Sequence, residues 1–150
     1  MKNLILQQYQ HKFDENLMIK NIRRPKEGWI RTLRKALGMS SPQLARILGL
    51  GKAQVSQMER MEIDDRITLK QLRRVAKELD CELVYALVPR TSIREMIRER
   101  ADFKAKKIIE VANQHMILES QQLDESSLNE QLDLETNRLI QDMPRDLWEE

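Results

Sequence analysis

The sequence predicts an all-α fold with one short β-strand, and three observations support this prediction. Apolar residues recur at three- and four-residue intervals along most of the 150 residues, which is the period of an amphipathic helix. All four glycines lie between Gly28 and Gly51, so tight turns are concentrated in one part of the chain. Residues 81–88 are rich in β-branched and aromatic residues and end at Pro89, which is typical of a strand.

The composition excludes several classes of protein. A chain of 150 residues suits one compact domain with an extension, but not two full-sized cores. Its single cysteine, Cys81, cannot form an internal disulfide or a multi-thiolate zinc site, which fits a reducing cytosol, and we expect it to be buried. No apolar run approaches the length of a membrane span. We therefore expect a cytoplasmic protein that does not contact membranes.

The net charge of +2 conceals two regions of opposite charge. Residues 1–107 contain 24 Lys and Arg residues and 13 acidic ones, whereas residues 108–150 contain two basic and 11 acidic residues. A basic body suits a polyanion, because each Lys or Arg placed on a phosphate releases condensed counterions. The acidic region could bind a basic protein or fold back on the basic half, and either set of charges could be a solvated helix surface.

Local start and stop signals define the helices. A first helix is expected over residues 4–22 and ends at Arg24–Pro25, since proline disfavours helix at the preceding residue. Three short helices follow, in which Ser40 caps the second and Gly49–Gly51 forms the turn before the third. Thr68 caps a fourth helix. The predicted organisation is a helical segment at 1–25, a helical domain ending in the strand at 26–90, and a helical, acidic extension at 91–150.

The extension is expected to contain two helices. The first starts after Thr91, a break falls near Asp124–Ser127, and the second runs to Ile140. The apolar residues that trace the buried side of the first helix are Ile93, Ile97, Ile108, Val111 and Ala112.

The predicted strand at residues 81–88 has no partner in the rest of the sequence. A lone strand leaves its backbone hydrogen-bonding groups unpaired. The simplest solution is pairing with the same segment of a second copy, which predicts a homodimer. The residues expected to form this contact are Leu83, Val84, Tyr85, Ala86 and Leu87.

The third short helix carries the predicted function. Ala45 lies where two helices approach closely, Gly49 supplies the turn, and Val55 packs back on the first of the two helices. This arrangement presents one helix to the major groove of DNA. Lys and Arg bind phosphates or guanine edges, Gln pairs with adenine, and Ala can touch a thymine methyl group. The residues expected to face DNA are Lys52, Ala53, Gln54, Gln57 and Arg60, with Gln43 and Lys35 on the backbone.

An alternative stays open for each of these residues. Helix-turn-helix spacing also occurs in all-α proteins that do not bind DNA, and Gln or Lys on a helix surface ordinarily serves solubility. The basic body favours the DNA-binding interpretation. The expected operator is a palindrome with half-sites about one helical turn apart.

Residues 38–50 (GMSSPQLARILGL) and 54–59 (QVSQME) resemble the helix-turn-helix of the Cro/C1-repressor (Xre) group. The resemblance covers about residues 27–80 and implies a five-helix-type DNA-binding domain in which Arg34 pairs with Glu59. Ser41 stands where many members carry a glutamine that contacts phosphate, and Gly51 stands where Ser or Thr usually caps the recognition helix. These are two departures from the pattern of the group.

A narrower resemblance covers about residues 20–90 and points to the mobile mystery protein A family. It implies a bacterial regulator encoded beside a Fic-domain protein, as a candidate toxin–antitoxin module. Related Hip-type antitoxins dimerise through a short strand after the fourth helix. The matching blocks are Arg24–Pro25, Gly28–Arg31, Leu33–Arg34, Ala36–Ser40, Thr68–Leu69, Leu72–Arg74 and Cys81–Pro89.

Some antitoxins that inhibit Fic proteins use a helix in which Ser or Thr precedes a glutamate by four residues and Gly or Asn follows. Ser126 and Glu130 have this spacing, but Gln131 occupies the last position. Such short patterns occur easily by chance. The two residues are a hypothesis for toxin inhibition.

The sequence contains little that favours catalysis. His11 and His115 have no Cys or His at metal-ligand spacing, no Gly-rich phosphate loop follows a strand, and the Fic catalytic motif is absent. We therefore expect neither enzyme activity nor a metal or cofactor. Trp148 is either an exposed anchor for a partner or folds back onto the protein.

Two functions remain from different classes. The first is a homodimeric, sequence-specific repressor of its own operon that also acts as the antitoxin of a Fic-type toxin. The second is a protein-interaction inhibitor that neutralises a toxin through its acidic C-terminal helices, with DNA binding vestigial.

Overall fold

A computed structural model describes residues 2–118 and 124–150 of the chain. The all-α prediction is confirmed for these residues, which form seven α-helices. The first helix is shorter than expected, because residues after Asp14 continue as a 3-10 helix, Glu15–Asn21. The α-helices are α1 Lys2–Asp14, α2 Trp29–Ala36, α3 Ser41–Leu48, α4 Lys52–Ile63, α5 Leu69–Glu78, α6 Ile93–Leu118 and α7 Glu125–Asp142.

The predicted β-strand is wrong for the part of the chain that the structure describes. Residues 81–88 form neither helix nor strand, and no backbone hydrogen bond joins residues 82–89 to another described residue. A strand exists only when a second strand pairs with it, and the described residues of one chain offer none. Cys81, expected to be buried, is exposed.

The chain forms two compact units. The central unit is Met18–Ala86, and the terminal unit combines Met1–Leu17 with Leu87–Glu150. No helix among the described residues is long and apolar enough to cross a membrane.

The core of the central unit lies between α2, α3, α4 and α5. Ser40 and Thr68 start two of these helices as predicted, because each hydroxyl accepts the backbone N–H three residues later and each N3 glutamine accepts in return. The apolar stripes of α2 and α5 also predict that Leu37 and Leu69 face inward, but Leu37 follows α2 and Leu69 opens α5, and both are exposed. The buried apolar residues are Ile30, Leu44, Ala45, Leu48, Val55, Met58 and Val75.

The terminal unit is organised around α6 and α7, with α1 against α6. The residues that α6 buries include Ala101 and Ala105, both 0% exposed, which let the two helices approach closely. The predicted buried side of α6 is wrong beyond Ile97, because the hydrophobicity of a residue does not decide which face a neighbouring helix covers. Ile108, Val111 and Ala112 are exposed.

Candidate nucleic-acid interface

The junction between α3 and α4 is a tight turn that sets the direction of α4. Gly49 adopts the left-handed conformation with φ of +67°, which glycine accepts without steric cost. The N–H of Leu50 donates to the carbonyl of Ala45 at 2.8 Å and closes the end of α3. Ala45 is buried at the base of this turn, with 3% of its surface exposed. The junction therefore has the geometry that the spacing of Ala45, Gly49 and Val55 predicts.

One face of α4 is buried and the other lies open to solvent. Val55, Met58, Glu59 and Glu62 form the buried face. The opposite face carries the five residues predicted to contact DNA, and every one of them is exposed: Lys52, Ala53, Gln54, Gln57 and Arg60.

The side-chain amides of the two glutamines on this face differ in their hydrogen bonding. The Oε1 atom of Gln54 accepts the N–H of Gly51 at 2.8 Å and so stabilises the first turn of α4. The side-chain amide of Gln57 has no hydrogen-bond partner among the described residues. Pairing with an adenine edge uses both the oxygen and the NH2 group of a glutamine. Gln57 can make this contact without losing a hydrogen bond within the protein. Gln54 would first have to break its hydrogen bond to the N–H of Gly51.

The residues predicted to contact the DNA backbone occupy α2 and the start of α3. Ser41 is the first residue of α3 and is half-buried. The Oε1 atom of Gln43 accepts the N–H of Ser40 at 2.8 Å, which leaves its NH2 group as a donor. Lys35 contacts Glu27 at 2.8 Å, and this hydrogen bond lowers the pKa of the Glu27 carboxyl below its usual value. A phosphate would have to compete with Glu27 for Lys35.

A buried ion pair joins α2 to α4. The Nε atom of Arg34 lies 2.7 Å from Oε1 of Glu59, and its Nη2 atom lies 3.3 Å from Oε2. Arg34 is 8% exposed and Glu59 is 6% exposed, and Arg34 also donates to the carbonyl of Met39. The pairing implied by the resemblance to the Xre group is therefore present in the structure.

A second buried carboxylate on α4, that of Glu62, caps the start of α2. The two oxygens of Glu62 accept the N–H of Trp29 at 2.7 Å and the N–H of Ile30 at 2.9 Å. The first N–H groups of a helix have no partner within the helix, and a carboxylate also complements the positive end of its dipole. Glu62 thus binds one end of α2 while Glu59, one turn earlier on α4, binds the other.

Glycine at position 28 is a consequence of this cap. Gly28 has φ of +83°, and a Cβ atom there would lie 2.8 Å from Oε1 of Glu62. Any larger residue would displace the carboxylate from the N–H groups of α2. The cap that Glu62 provides therefore requires a glycine at position 28, although 34 positions separate the two residues in the sequence.

Two arginines donate hydrogen bonds to backbone carbonyls at the C-terminal ends of α3 and α4. Arg24 donates to the carbonyls of Glu62 at 2.7 Å and Ile63 at 3.2 Å, at the end of α4, and contacts Asp65 at 2.6 Å. Arg74 on α5 donates to the carbonyl of Leu48 at the end of α3. Cations at a helix C-terminus also complement the negative end of the helix dipole.

Sequence reasoning missed the positioning roles of Arg24, Glu62 and Arg74. A signal for Glu62 was present, since α2 begins after a glycine, which cannot cap a helix through its own side chain. A helix without a cap of its own requires a cap from elsewhere in the fold. Which carboxylate supplies it depends on the tertiary fold.

The charge of the central unit suits a polyanionic partner. Residues 18–86 contain 15 Lys and Arg residues and eight acidic ones. Two of the acidic residues, Glu59 and Glu62, and one of the basic ones, Arg34, are buried and contribute little to the outer surface. The net positive surface favours association with phosphates.

The remaining predicted residues lie outside α4. Ser126 and Glu130 lie one turn apart near the start of α7, and both are exposed. No group of three or more His, Cys, Asp or Glu residues within 2–118 and 124–150 is arranged to hold a metal ion. Of the residues predicted for dimerisation, Leu83 and Ala86 are half-buried, and Val84, Tyr85 and Leu87 are exposed.

Comparison with protein families matched a helix-turn-helix family model to residues 30–85. The match spans α2 to α5 and part of the irregular segment after α5. Comparisons with curated proteins and with solved structures gave no match. Residues 30–85 are therefore a helix-turn-helix domain of the Xre/Cro-C1 type, which makes a DNA-binding transcription regulator the function that this part of the chain supports.

Proposed function

We propose that this protein is a homodimeric, sequence-specific repressor that reads its operator through the exposed face of α4. The observation that carries the proposal is the division of α4 into two faces. Its buried carboxylates, Glu59 and Glu62, hold the helix against α2, while Lys52, Gln57 and Arg60 are left exposed. A rigidly held helix with exposed amide and cationic side chains suits direct readout in a major groove.

The irregular segment after α5 supports the homodimer. No backbone hydrogen bond pairs residues 82–89 with another described residue, and Val84, Tyr85 and Leu87 are 61%, 60% and 81% exposed. Arg73 contacts the Tyr85 ring at 5.7 Å, which holds this part of the segment near α5. Pairing with the same segment of a second copy would satisfy the backbone and cover the apolar side chains.

Selection of full-length protein on random duplex DNA tests the proposal. We expect enrichment of a palindrome whose half-sites lie about one helical turn apart, with two chains bound per duplex. A control protein with Lys52, Gln57 and Arg60 all changed to Ala keeps the buried face of α4 and should enrich nothing. Equal enrichment by both proteins would contradict readout by α4.

We also propose that the operon encodes a Fic-domain partner and that this chain is its antitoxin. The resemblance of residues 20–90 to the mobile mystery protein A family supports the partner class. Ser126 and Glu130, exposed on α7, are the residues proposed to inhibit it. Glu130→Ala should release the activity of the co-expressed partner, with exposed Glu125→Ala as the control. Inhibition that survives Glu130→Ala would remove Glu130 from the inhibitory role.

A second function follows from the charge of α7 and the residues after it. Residues 124–150 contain nine acidic and two basic residues, which suits a basic protein surface. In this alternative, the protein neutralises a toxin through α7 and DNA binding is vestigial. Changing Glu130, Asp133 and Asp142 to the corresponding amides should then abolish neutralisation of the toxin. The repressor proposal fails instead if the wild-type protein enriches no DNA sequence.

A further inference from the structure

The residue that follows α7 has a strained backbone. Met143 adopts the left-handed conformation, with φ of +45° and ψ of +60°. Two other non-glycine residues among those described have a positive φ, Asp65 and Asp80, and aspartate tolerates this conformation better than methionine does. Pro144 adds to the strain, since a residue before proline favours an extended backbone. The structure therefore holds Met143 in a conformation that two local rules disfavour.

Beyond Met143, the chain folds back onto α6. Leu147 is 1% exposed and belongs to the buried apolar cluster of the terminal unit. The next residue, Trp148, is 58% exposed, so its indole stays in contact with solvent. We call residues 144–150 the C-terminal segment. Its one fully buried apolar side chain is that of Leu147.

Two cations of α6 bind the backbone of the C-terminal segment. Arg100 donates from Nε to the carbonyl of Leu147 at 2.7 Å and from Nη2 to the carbonyl of Glu149 at 2.6 Å. Lys104 donates to the carbonyls of Asp146 and Glu149. Hydrogen bonds from charged donors are about twice as strong as neutral ones. These two cations and the buried alanines beside them form a surface that we call the seat: Arg100, Ala101, Lys104 and Ala105.

The strain at Met143 and the contacts at the seat oppose each other within one chain. The contacts require the C-terminal segment to fold back, whereas the Met143–Pro144 pair favours an extended backbone. An extended Met143 would carry the segment away from its own α6. The seat of a second copy offers the same contacts to Leu147 and to the carbonyls. Short connections under strain favour the exchange of a segment between copies.

We propose that the C-terminal segment exchanges between two copies of this chain, so that each segment binds to the seat of the other copy about a two-fold axis. The contacts at the seat are the same in the single chain and in the exchanged dimer. The balance between the two forms is therefore set by the strain released at two Met143 residues and by the cost of association. The exchange depends neither on α4 nor on residues 82–88.

The length of the connection limits the geometry of the exchanged dimer. Four residue steps join Met143 to Leu147 and span at most about 14 Å. The C-terminal ends of the two α7 helices must therefore lie close to the two-fold axis.

The contacts at the seat also set the rate of exchange. Opening one chain exposes Leu147 and breaks the hydrogen bonds to Arg100 and Lys104 before a second copy replaces them. Such an open form is a minor state of the protein. We therefore expect a dimer that forms slowly at high protein concentration and dissociates slowly after dilution.

Sedimentation velocity tests the proposal on the full chain, incubated at several hundred micromolar and then diluted. Every sample carries Val84→Pro, which blocks backbone pairing of residues 82–88, so the single chain is the starting species. The parent protein should form a two-copy species that persists after dilution. Met143→Gly should lower its association constant about tenfold or more, because glycine accepts a positive φ and two strained residues no longer favour exchange.

Asp80→Gly is the matched control for Met143→Gly. Asp80 has φ of +53° and belongs to the central unit, so the substitution relieves a similar conformation away from the C-terminal segment. This variant should exchange as the parent protein does.

A mixture of two variants tests which chain provides the seat. Arg100→Ala with Lys104→Ala removes the donors of the seat, and Leu147→Ala weakens the C-terminal segment. Each variant alone should exchange less than the parent protein. In the mixture, the intact segment of the first variant fits the intact seat of the second, so native mass spectrometry should show an excess of the mixed dimer. Leu147→Val replaces Leu147→Ala if the latter does not fold.

Three results would overturn the proposal. They are the absence of a persistent two-copy species in the parent protein, equal association of Met143→Gly and Asp80→Gly, and a mixture without an excess of the mixed dimer. Unchanged helix content shows that each variant compared is folded. The dimer proposed through residues 82–88 is tested separately, by comparing the mass of the wild type with that of Val84→Pro before incubation.

Discussion

The two units of the molecule bury different kinds of side chain. The core of the central unit includes three charged residues, Arg34, Glu59 and Glu62, and all three have hydrogen-bond partners. Among its described residues, the terminal unit buries alanine, leucine and isoleucine side chains and one polar residue, Thr136. Directional polar contacts fix the rotation of a helix, whereas small apolar contacts mainly set how closely two helices approach. The central unit is therefore built to hold α4 in one orientation.

The largest expected effect is on the buried pair of the central unit. Glu59→Ala leaves the guanidinium of Arg34 buried without its carboxylate, so unfolding free energy should fall by about 3–5 kcal/mol. Urea denaturation measures this loss.

The matched control for this pair removes both charges. Arg34→Met with Glu59→Leu replaces the pair by apolar groups of similar size, so the double variant should be more stable than Glu59→Ala. A double variant that is less stable than the single one would show that the charges do not act as a pair.

The next effect tests the cap that α4 provides to α2. Glu62→Gln keeps the shape of the side chain but leaves one oxygen to serve two N–H groups, so we expect a loss of about 1–3 kcal/mol in unfolding free energy. At temperatures where this variant is folded, its affinity for the operator should fall more than its affinity for random DNA, because α4 is less well held. If the variant binds the operator and random DNA with the affinities of the wild type, Glu62 stabilises the fold without positioning α4.

A substitution with an expected effect of similar magnitude tests the contact that Ala105 makes in the terminal unit. Ala105→Leu inserts three carbons into the contact between α6 and α7 and should destabilise the protein by about 1–3 kcal/mol. Ala112→Leu is the control on the same helix, because Ala112 is exposed, and should change stability by less than about 0.5 kcal/mol. Similar losses for both variants would contradict close packing at Ala105.

The sequence predicts the central unit better than the terminal unit, for a physical reason. Ser40, Gly49 and Thr68 act within a few residues of themselves, so local rules locate them. In α6, the buried residues Ala101 and Ala105 are less hydrophobic than the exposed Ile108 and Val111. Hydrophobic periodicity therefore predicted the wrong face of α6 beyond Ile97.

Contacts between distant residues explain the rest of what the sequence did not predict. Glu62 caps Trp29, and Arg24 binds the end of α4, across more than thirty residues. Neither contact follows from local spacing. In the same way, the strand expected at residues 81–88 needed a partner that the described residues of one chain do not contain.

A smaller effect is expected at the buried hydroxyl of the terminal unit. Thr136 is 5% exposed, and its Oγ1 atom has no hydrogen-bond partner among the described residues. Thr136→Val replaces the hydroxyl by a methyl group of similar size and should raise stability by about 1 kcal/mol. Thr136→Ser keeps the hydroxyl, creates a small void and should lower stability. A loss of stability with valine would reveal a partner for the hydroxyl.

The smallest effect concerns pH and the start of α7. The pKa of Asp124 is lowered because its carboxylate accepts hydrogen bonds at Ser127, and the Arg138 guanidinium lowers the pKa of Glu135. Depressed carboxyl pKa values stabilise the fold above the unfolded pKa of about 4, and this contribution is lost as pH falls through the folded values. Helix content measured by circular dichroism should decline with acidification. Asp124→Asn retains a capping side chain and should show a weaker pH dependence.

The most direct test compares Gln57, proposed to read a base, with Lys52, proposed to bind a phosphate. Wild type, Gln57→Ala and Lys52→Ala are titrated with the selected operator and with random duplex DNA at several salt concentrations. We expect Gln57→Ala to lose about tenfold or more in affinity for the operator alone, and Lys52→Ala to lose affinity for both and to reduce the salt slope by about 1. Equal losses for Gln57→Ala on both DNAs would contradict the claim that α4 reads base sequence.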